Sequence, residues 1–176
     1  MRIIAGQLKG RRLQGPKGEG LRPTSDGLRE TLFNVLSASV EGARVLDGFA
    51  GTGAVGLEAL SRGAAHATFI ERDPRALASL TANVRVCGSE DACAIIRDDF
   101  SRVESLARGA FDLVFLDPPY DGVDLEAAVE RAAPLVGPGG RLVLEHSRRR
   151  TSPAQAGSLA RVRVLVAGDS ALSFYE

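Results

Sequence analysis

The chain is short of the residues that build metal centres, disulfides and membrane spans. It has two histidines, His66 and His146, and two cysteines, Cys87 and Cys93, in 176 residues. Neither histidine sits in a ligand-spaced cluster, so no metal site is expected. The cysteines stand six apart rather than as a CxxC pair, and no apolar signal core opens the sequence. Both features lead us to expect reduced thiols and a cytoplasmic protein. No apolar run is long enough to span a membrane. Net charge is missing too: 22 basic residues balance 22 acidic ones, so the whole molecule is no magnet for polyanions. Internal repeats and low-complexity segments are absent.

What is present suits one domain with a real core, at 44% apolar content. The charge balance is local rather than uniform. Residues 1–22 carry six cations against Glu19 alone, a net +5, which leaves −5 on residues 23–176. A basic arm on a mildly acidic body points to a local nucleic-acid contact; the plainer reading is a solvated hairpin. Arg2–Ala5 and Arg11–Leu13 are expected to pair around Lys9-Gly10. We therefore expect an N-terminal extension, 1–22, on a main domain, 23–176.

The most informative stretch is Phe111–Tyr120, FDLVFLDPPY. Its apolar run suits a buried parallel strand, and Pro118-Pro119 ends that strand in a stiff turn. Ligands of open α/β sheets sit just beyond the carboxyl ends of the strands. There the carboxylate of Asp117 and the carbonyl of Pro118 can accept from an amino group, and Tyr120 can stack on a base. A stiffened turn with Tyr120 as rim packing is the alternative. The stretch resembles the [DNS]PP[YFW] motif of methyltransferases that act on exocyclic amines of nucleobases.

Other strand ends carry ligand-type residues. Pro23–Asp26 reads as a helix start, with Leu28, Leu32, Val35 and Leu36 on its buried face. Arg44–Leu46 is a strand, Asp47–Gly53 a glycine-rich turn, and Ala54–Ser61 a helix closed by Gly63. Ala67–Ile70 is a second strand; Glu71 follows Gly51 by 20 positions, about the offset at which an acid takes ribose hydroxyls. Pro74 opens a helix with Leu77, Leu80 and Val84 inward. Ala94–Ile96 is a third strand before Asp98, Asp99 and Phe100. Leu125–Ala133 is a helix. Gly137–Gly140 reads as a tight turn into a strand over Arg141–Glu145, and Ser147–Gln155 as a loop with a solvated arginine run. Val162–Val166 and Ala171–Tyr175 close as an antiparallel hairpin.

The turn Asp47-x-x-x-Gly51-x-Gly53 resembles motif I of the S-adenosylmethionine-dependent methyltransferases. That resemblance implies a loop of Asp47, Phe49, Ala50, Gly51 and Gly53 around the methionine part of the cofactor, with Asp47 near its ammonium. Glu71, with Arg72 beside it, is the expected ribose acid. Asp99 is the expected partner of the adenine amine, with Asp98 as the alternative, and Phe100 packs on the ring. RIIAG, KGR, RPTSDGLRETLFNVL, VLDGFAGTGAVGLEALSRGA, FDLVFLDPPY and GDSALSFY are together similar to the RsmD family, in order and over nearly the whole chain. Gly27 and Gly48 depart from it, standing where the family usually has a basic and a bulky apolar residue.

The resemblance implies an α/β fold: a Rossmann-like class I methyltransferase sheet, mostly parallel, with a C-terminal antiparallel hairpin and the small N-terminal β-hairpin extension. It also implies a monomeric enzyme that methylates the N2 amine of one guanine in 16S rRNA, within the small subunit or an assembly intermediate. Asp117, Pro118, Pro119 and Tyr120 are the expected catalytic turn, and Asp117 also borders the cofactor. Accepting hydrogen bonds from the amine at Asp117 and Pro118 localises a lone pair otherwise drawn into the ring. RNA contacts are expected from Lys9, Arg11, Arg12 and Arg22, with Thr24 and Arg29 beyond the arm. The alternatives are a DNA adenine-N6 methylase, against which the absence of a separate target-recognition domain counts, and a non-catalytic RNA-binding assembly factor. A NAD-dependent dehydrogenase shares the glycine turn but leaves DPPY without a role.

Overall fold

The computed structural model describes residues 1–15, 26–102, 110–120 and 122–176. Eight strands form one sheet in the order β3-β2-β1-β4-β5-β8-β7-β6. β1 (Arg44–Asp47), β2 (His66–Glu71), β3 (Cys93–Arg97), β4 (Phe111–Leu116) and β5 (Val136–Ser147) run parallel. β8 (Ser170–Tyr175) runs antiparallel between β5 and β7 (Leu159–Ala167), and the two-residue β6 (Gln155–Ala156) closes the edge. The apolar runs of β1, β2 and β4 suit strands covered on both faces.

Helices α1 (Asp26–Leu36), α2 (Ala54–Ser61) and α3 (Pro74–Cys87) pack on one face, and α4 (Leu125–Ala132) on the other. Local chemistry fixes their ends. Asp73 accepts from the amides of Arg75 at 2.7 Å and Ala76 at 3.1 Å, Pro74 fills the first turn, and Gly88 stops α3 at φ 62°. Asp124 caps α4 in the same way. The inward face of α1 is Leu28, Arg29, Leu32, Phe33 and Leu36, so Phe33 and Arg29 take the depth expected of Val35.

Two expectations change. Gly137–Gly140 is no separate turn but a bulge within β5. Phe111 pairs with Val136 and Leu113 with Arg141, so the glycines absorb three extra residues, with Gly139 at φ 72°. The N-terminal segment forms a single antiparallel bridge, Arg2 to Arg12, rather than two strands. Ile3 and Leu13 are buried in a cluster with Leu57 of α2 and Leu80 of α3. The amides of Ile4 and Ala5 donate to the carboxylate of Glu58 at 2.7 and 3.0 Å. Gly6, at φ 80°, lies so close to α2 that a Cβ there would strike the carbonyl of Ser61.

Candidate active site

The parallel strands all end at one edge, and a cleft of about 1250 Å³ opens there. Asp47, Glu71, Asp98, Asp99 and Asp117 all line it, as do Phe49, Ala50, Gly51, Arg72 and Phe100. Gly53 lies just behind, starting α2 at φ 78°.

Asp47 ends β1 and is 2% exposed. Its carboxylate accepts the amide of Gly56, in the first turn of α2, at 3.2 Å. Burial pushes its pKa up to about 7; the Gly56 bond opposes this, and the carboxylates of Asp117 and Glu71 add to it. A buried carboxylate held this way favours a neighbouring cation, such as an ammonium.

The glycine loop is tied to β2. The amide of Ala50 donates to the carbonyl of Ile70 at 2.9 Å, and the amide of Gly51 to Oε2 of Glu71 at 2.7 Å. Oε1 of Glu71 accepts the amides of Arg72 at 2.7 Å and Asp73 at 2.8 Å. A carboxylate offers about four acceptor positions. These three bonds hold its plane and still leave capacity toward the cleft. Gly51 sits at φ 54°, and a Cβ on it would meet no atom within 4 Å. Backbone lining open space in this way lets a ligand approach closely. At Gly48 the space is filled instead: a Cβ would lie 2.6 Å from a methyl of Leu116.

Asp98 and Asp99 follow β3. Asp99 accepts the amide of Ser101 at 2.9 Å and pairs with the exposed guanidinium of Arg72. The Ser101 bonds first, then Arg72, hold its carboxyl down at about 2. Asp98 accepts the amide of Asp99 at 2.7 Å and faces Arg102 at 3.9 Å. Phe100 is 3% exposed and turns most of its ring into the core with Leu46, Ile70 and Val114. It meets Phe49 at 5.2 Å between ring centres. It is therefore a wall of the cleft rather than a projecting plate.

At the other end, Asp117 and Tyr120 are half-buried, Pro118 is buried and Pro119 exposed; all four line the cleft. Tyr120 shares a hydrogen bond with Ser170 at 2.6 Å. Arg150 donates to the carbonyls of Tyr120 at 3.1 Å and Val123 at 2.9 Å. The arginine run after β5 thus grips the Asp117–Tyr120 turn at Arg150 instead of being wholly solvated. Ser170, Arg150 and Glu145 are residues that sequence reasoning missed. Glu145, 4% exposed, lines the cleft near the end of β5, one residue past the Leu116–Leu144 pairing. The signal for Ser170 was present in GDSALSFY. Arg150 had no legible signal, because its partners lie about 30 residues away.

The residues expected to meet RNA fare differently. Lys9, Arg11 and Arg12 are exposed, outside the cleft lining. Arg11 donates to the carbonyl of Val86 in the last turn of α3, where a cation complements the helix dipole. Arg29 is no RNA ligand. It is fully buried, donating to the carbonyl of Arg2 at 2.6 Å and to Asp26 at 2.9 Å, with its Nε 3.7 Å from Glu58. Arg22 and Thr24 lie outside the described residues. Neither thiol lines the cleft, and burial raises both, Cys93 to about 12.

Comparison with known proteins adds a separate line of observation. The family model "Conserved hypothetical protein 95" matches residues 1–176. YlbH of Bacillus subtilis, provisionally named an rRNA methyltransferase, is 34% identical over 181 residues, covering 100% of this chain and 98% of that protein. The Haemophilus influenzae ribosomal RNA small subunit methyltransferase D is 45% identical over 124 residues; the match covers 68% of this chain and 64% of that protein. Among solved structures, an Escherichia coli protein provisionally titled methyltransferase yhhF superimposes with a TM-score of 0.83 at 36% identity. That match covers 99% of this chain and 96% of the other.

Proposed function

This chain belongs to the RsmD family of rRNA methyltransferases, matched along its full length by the "Conserved hypothetical protein 95" model, and from that premise we propose its reaction. It transfers a methyl group from S-adenosylmethionine to the exocyclic N2 amine of a guanine in small-subunit rRNA. The observation that carries this reading is the meeting of Asp47, Glu71, Asp99 and Asp117–Tyr120 in one cleft at one sheet edge.

The residues present fit the cofactor. Asp47 offers a buried carboxylate for an ammonium, Glu71 retains acceptor capacity for a ribose hydroxyl, and Gly51 leaves room for close approach. Asp99, or Asp98 beside it, offers an acceptor for an adenine amine, with Phe100 as a wall. When bound, the cofactor supplies a methyl group already activated by its sulfonium. The protein then has to orient and exclude. Asp117 and the carbonyl of Pro118 accept hydrogen bonds from the two N–H groups of the amine, turning the nitrogen lone pair toward the methyl. Pro118 and Pro119 keep those acceptors stiff, and Tyr120 holds the base, extruded from its stack, by its ring face. Asp117 or water takes the proton released after transfer.

Guanine is favoured over adenine because an all-acceptor carboxylate matches two adjacent donors, N1–H and the N2 amine. The substrate in this reading is rRNA in the small subunit or its assembly intermediate, met by a monomer in the cytoplasm. The test is to incubate the protein with labelled S-adenosylmethionine and either duplex DNA, naked rRNA or small subunits. Digested product rRNA should contain N2-methylguanosine. Label entering DNA as N6-methyladenine, or no transfer to any of the three, rejects the assignment.

A further inference from the structure

The catalytic turn is gripped from outside by two residues to which no role in the reaction has been given. We propose that Ser170 and Arg150 are positioning residues that fix the ring of Tyr120 for the target base. The proposal rests on the reading of Tyr120 as the base-stacking residue.

The grip acts at both ends of the side chain. At the tip, the phenolic oxygen lies 2.6 Å from the hydroxyl of Ser170. At the root, the main-chain carbonyl of Tyr120 accepts from one guanidinium nitrogen of Arg150 at 3.1 Å. The other terminal nitrogen takes the carbonyl of Val123 at 2.9 Å, so one planar fork spans the turn. A tyrosine ring has two side-chain torsions. Holding its oxygen and its backbone leaves little freedom in either.

The anchors are themselves rigid. Ser170 is the first residue of β8, 7% exposed, and pairs with Ser147 at the end of β5 and Ala167 at the end of β7. The amide of Arg150 donates to the carbonyl of Ser147 at 2.9 Å. Both anchors therefore hang from the same rung of the β5–β8 ladder. Between the gripped end of the turn and Asp117 stand only two prolines, so fixing Tyr120 also limits drift of the amine acceptors. Small displacements of positioned groups are costly in rate, which is why residues behind the contacting ones matter.

The sequence supplies its own probe: two tyrosines and no tryptophan. Tyr175 is fully buried, so the emission lost in Tyr120→Phe isolates Tyr120. In Ser170→Ala, the anisotropy of that component should fall. With small subunits as substrate, kcat should fall about fivefold, the scale of one hydrogen bond, with the KM for S-adenosylmethionine unchanged. Ser170→Thr should restore both, because it returns the hydroxyl. Tyr120→Phe combined with Ser170→Ala should be no slower than the slower single variant, since both delete the same bond. Unchanged anisotropy and kcat in Ser170→Ala, or fully additive losses in the pair, overturn the proposal. Wild-type protein without transferase activity would defeat the reading of function instead, while the anisotropy arm still judges the clamp.

Discussion

The amide of Gly51 donates to Oε2 of Glu71 at 2.7 Å, joining the glycine loop after β1 to the acid that ends β2. One carboxylate thus shapes the loop and faces the cleft. Glu71→Ala should weaken S-adenosylmethionine binding by roughly 1.5–3 kcal/mol, the range for bonds to a charged group. Glu71→Gln should weaken it less, because its single amide oxygen can still accept. Calorimetry on the two variants measures this, and wild-type affinity in Glu71→Ala would remove it from the ribose site.

Asp47, as the proposed seat of the cofactor ammonium, should tie binding to pH. Its carboxyl is raised from 3.8 to about 7 by burial, so the folded protein holds a proton that the unfolded chain has lost. This group's contribution to stability is full below 3.8 and disappears as pH climbs through about 7. A bound ammonium favours the carboxylate, so binding should release a proton near neutrality and tighten from pH 6 to pH 8. Titrations at pH 7 in phosphate and in Tris should give different heats. Equal heats would place Asp47 away from the charge.

Asp117→Ala should abolish methyl transfer while leaving cofactor affinity close to wild type. It also removes one of the charges that raise Asp47, so the midpoint of the pH-dependent binding should move down. Single-turnover assays and a pH series of titrations read the two effects separately. Substantial turnover in this variant contradicts the amine-acceptor role.

Arg29→Ala should act on stability rather than on RNA. Arg29 and Glu58 both have side chains at 0% exposure, and removing one leaves the other charged group buried. Glu58 keeps Arg62 at 2.8 Å and the amides of Ile4 and Ala5, so the expected loss is about 1.5–3 kcal/mol, the scale of hydrogen bonds to a charged group. Urea denaturation gives the cost. A variant as stable as wild type would show that the pair is not holding α1 to α2.

The arm is best tested at Lys9 and Arg12, because Arg11 already caps α3. If the arm meets phosphates, Lys9→Ala/Arg12→Ala should lower the salt slope of subunit binding by about two, one per lost contact. The melting temperature should stay put. An unchanged slope reduces the arm to a solvated segment.

Asp47, Glu71 and Asp117 were legible because each stands directly after an apolar run, and parallel connectivity brings such ends to one edge. Asp99 stands two residues further on, and its choice over Asp98 came from the resemblance to methyltransferases. Arg29 was misread for the opposite reason. Its partner Glu58 sits on another helix, and apolar periodicity says nothing about a charge buried against a distant charge. Gly137–Gly140 has the composition of a turn, yet a bulge requires the same torsions while pairing continues on either side. The grip of Ser170 and Arg150 on Tyr120 depends on how β8 meets β5, which local pattern does not encode.

That meeting has a kinetic side. β8 lies between β5 and β7 although it follows both in the chain. Until Ser170–Tyr175 is in place, β5 presents an open edge, and β6 and β7 have no strand linking them to the parallel sheet. Exposed edges invite wrong pairing, and non-local pairing is slow to form. Insertion of β8 is therefore expected to be a late step that completes the hydrophobic core and the far wall of the cleft together. A chain folded as far as β5 would have its glycine loop and strand-end acids but no seat for Tyr120, and so would form the glycine-loop end of the cleft before the Asp117–Tyr120 end.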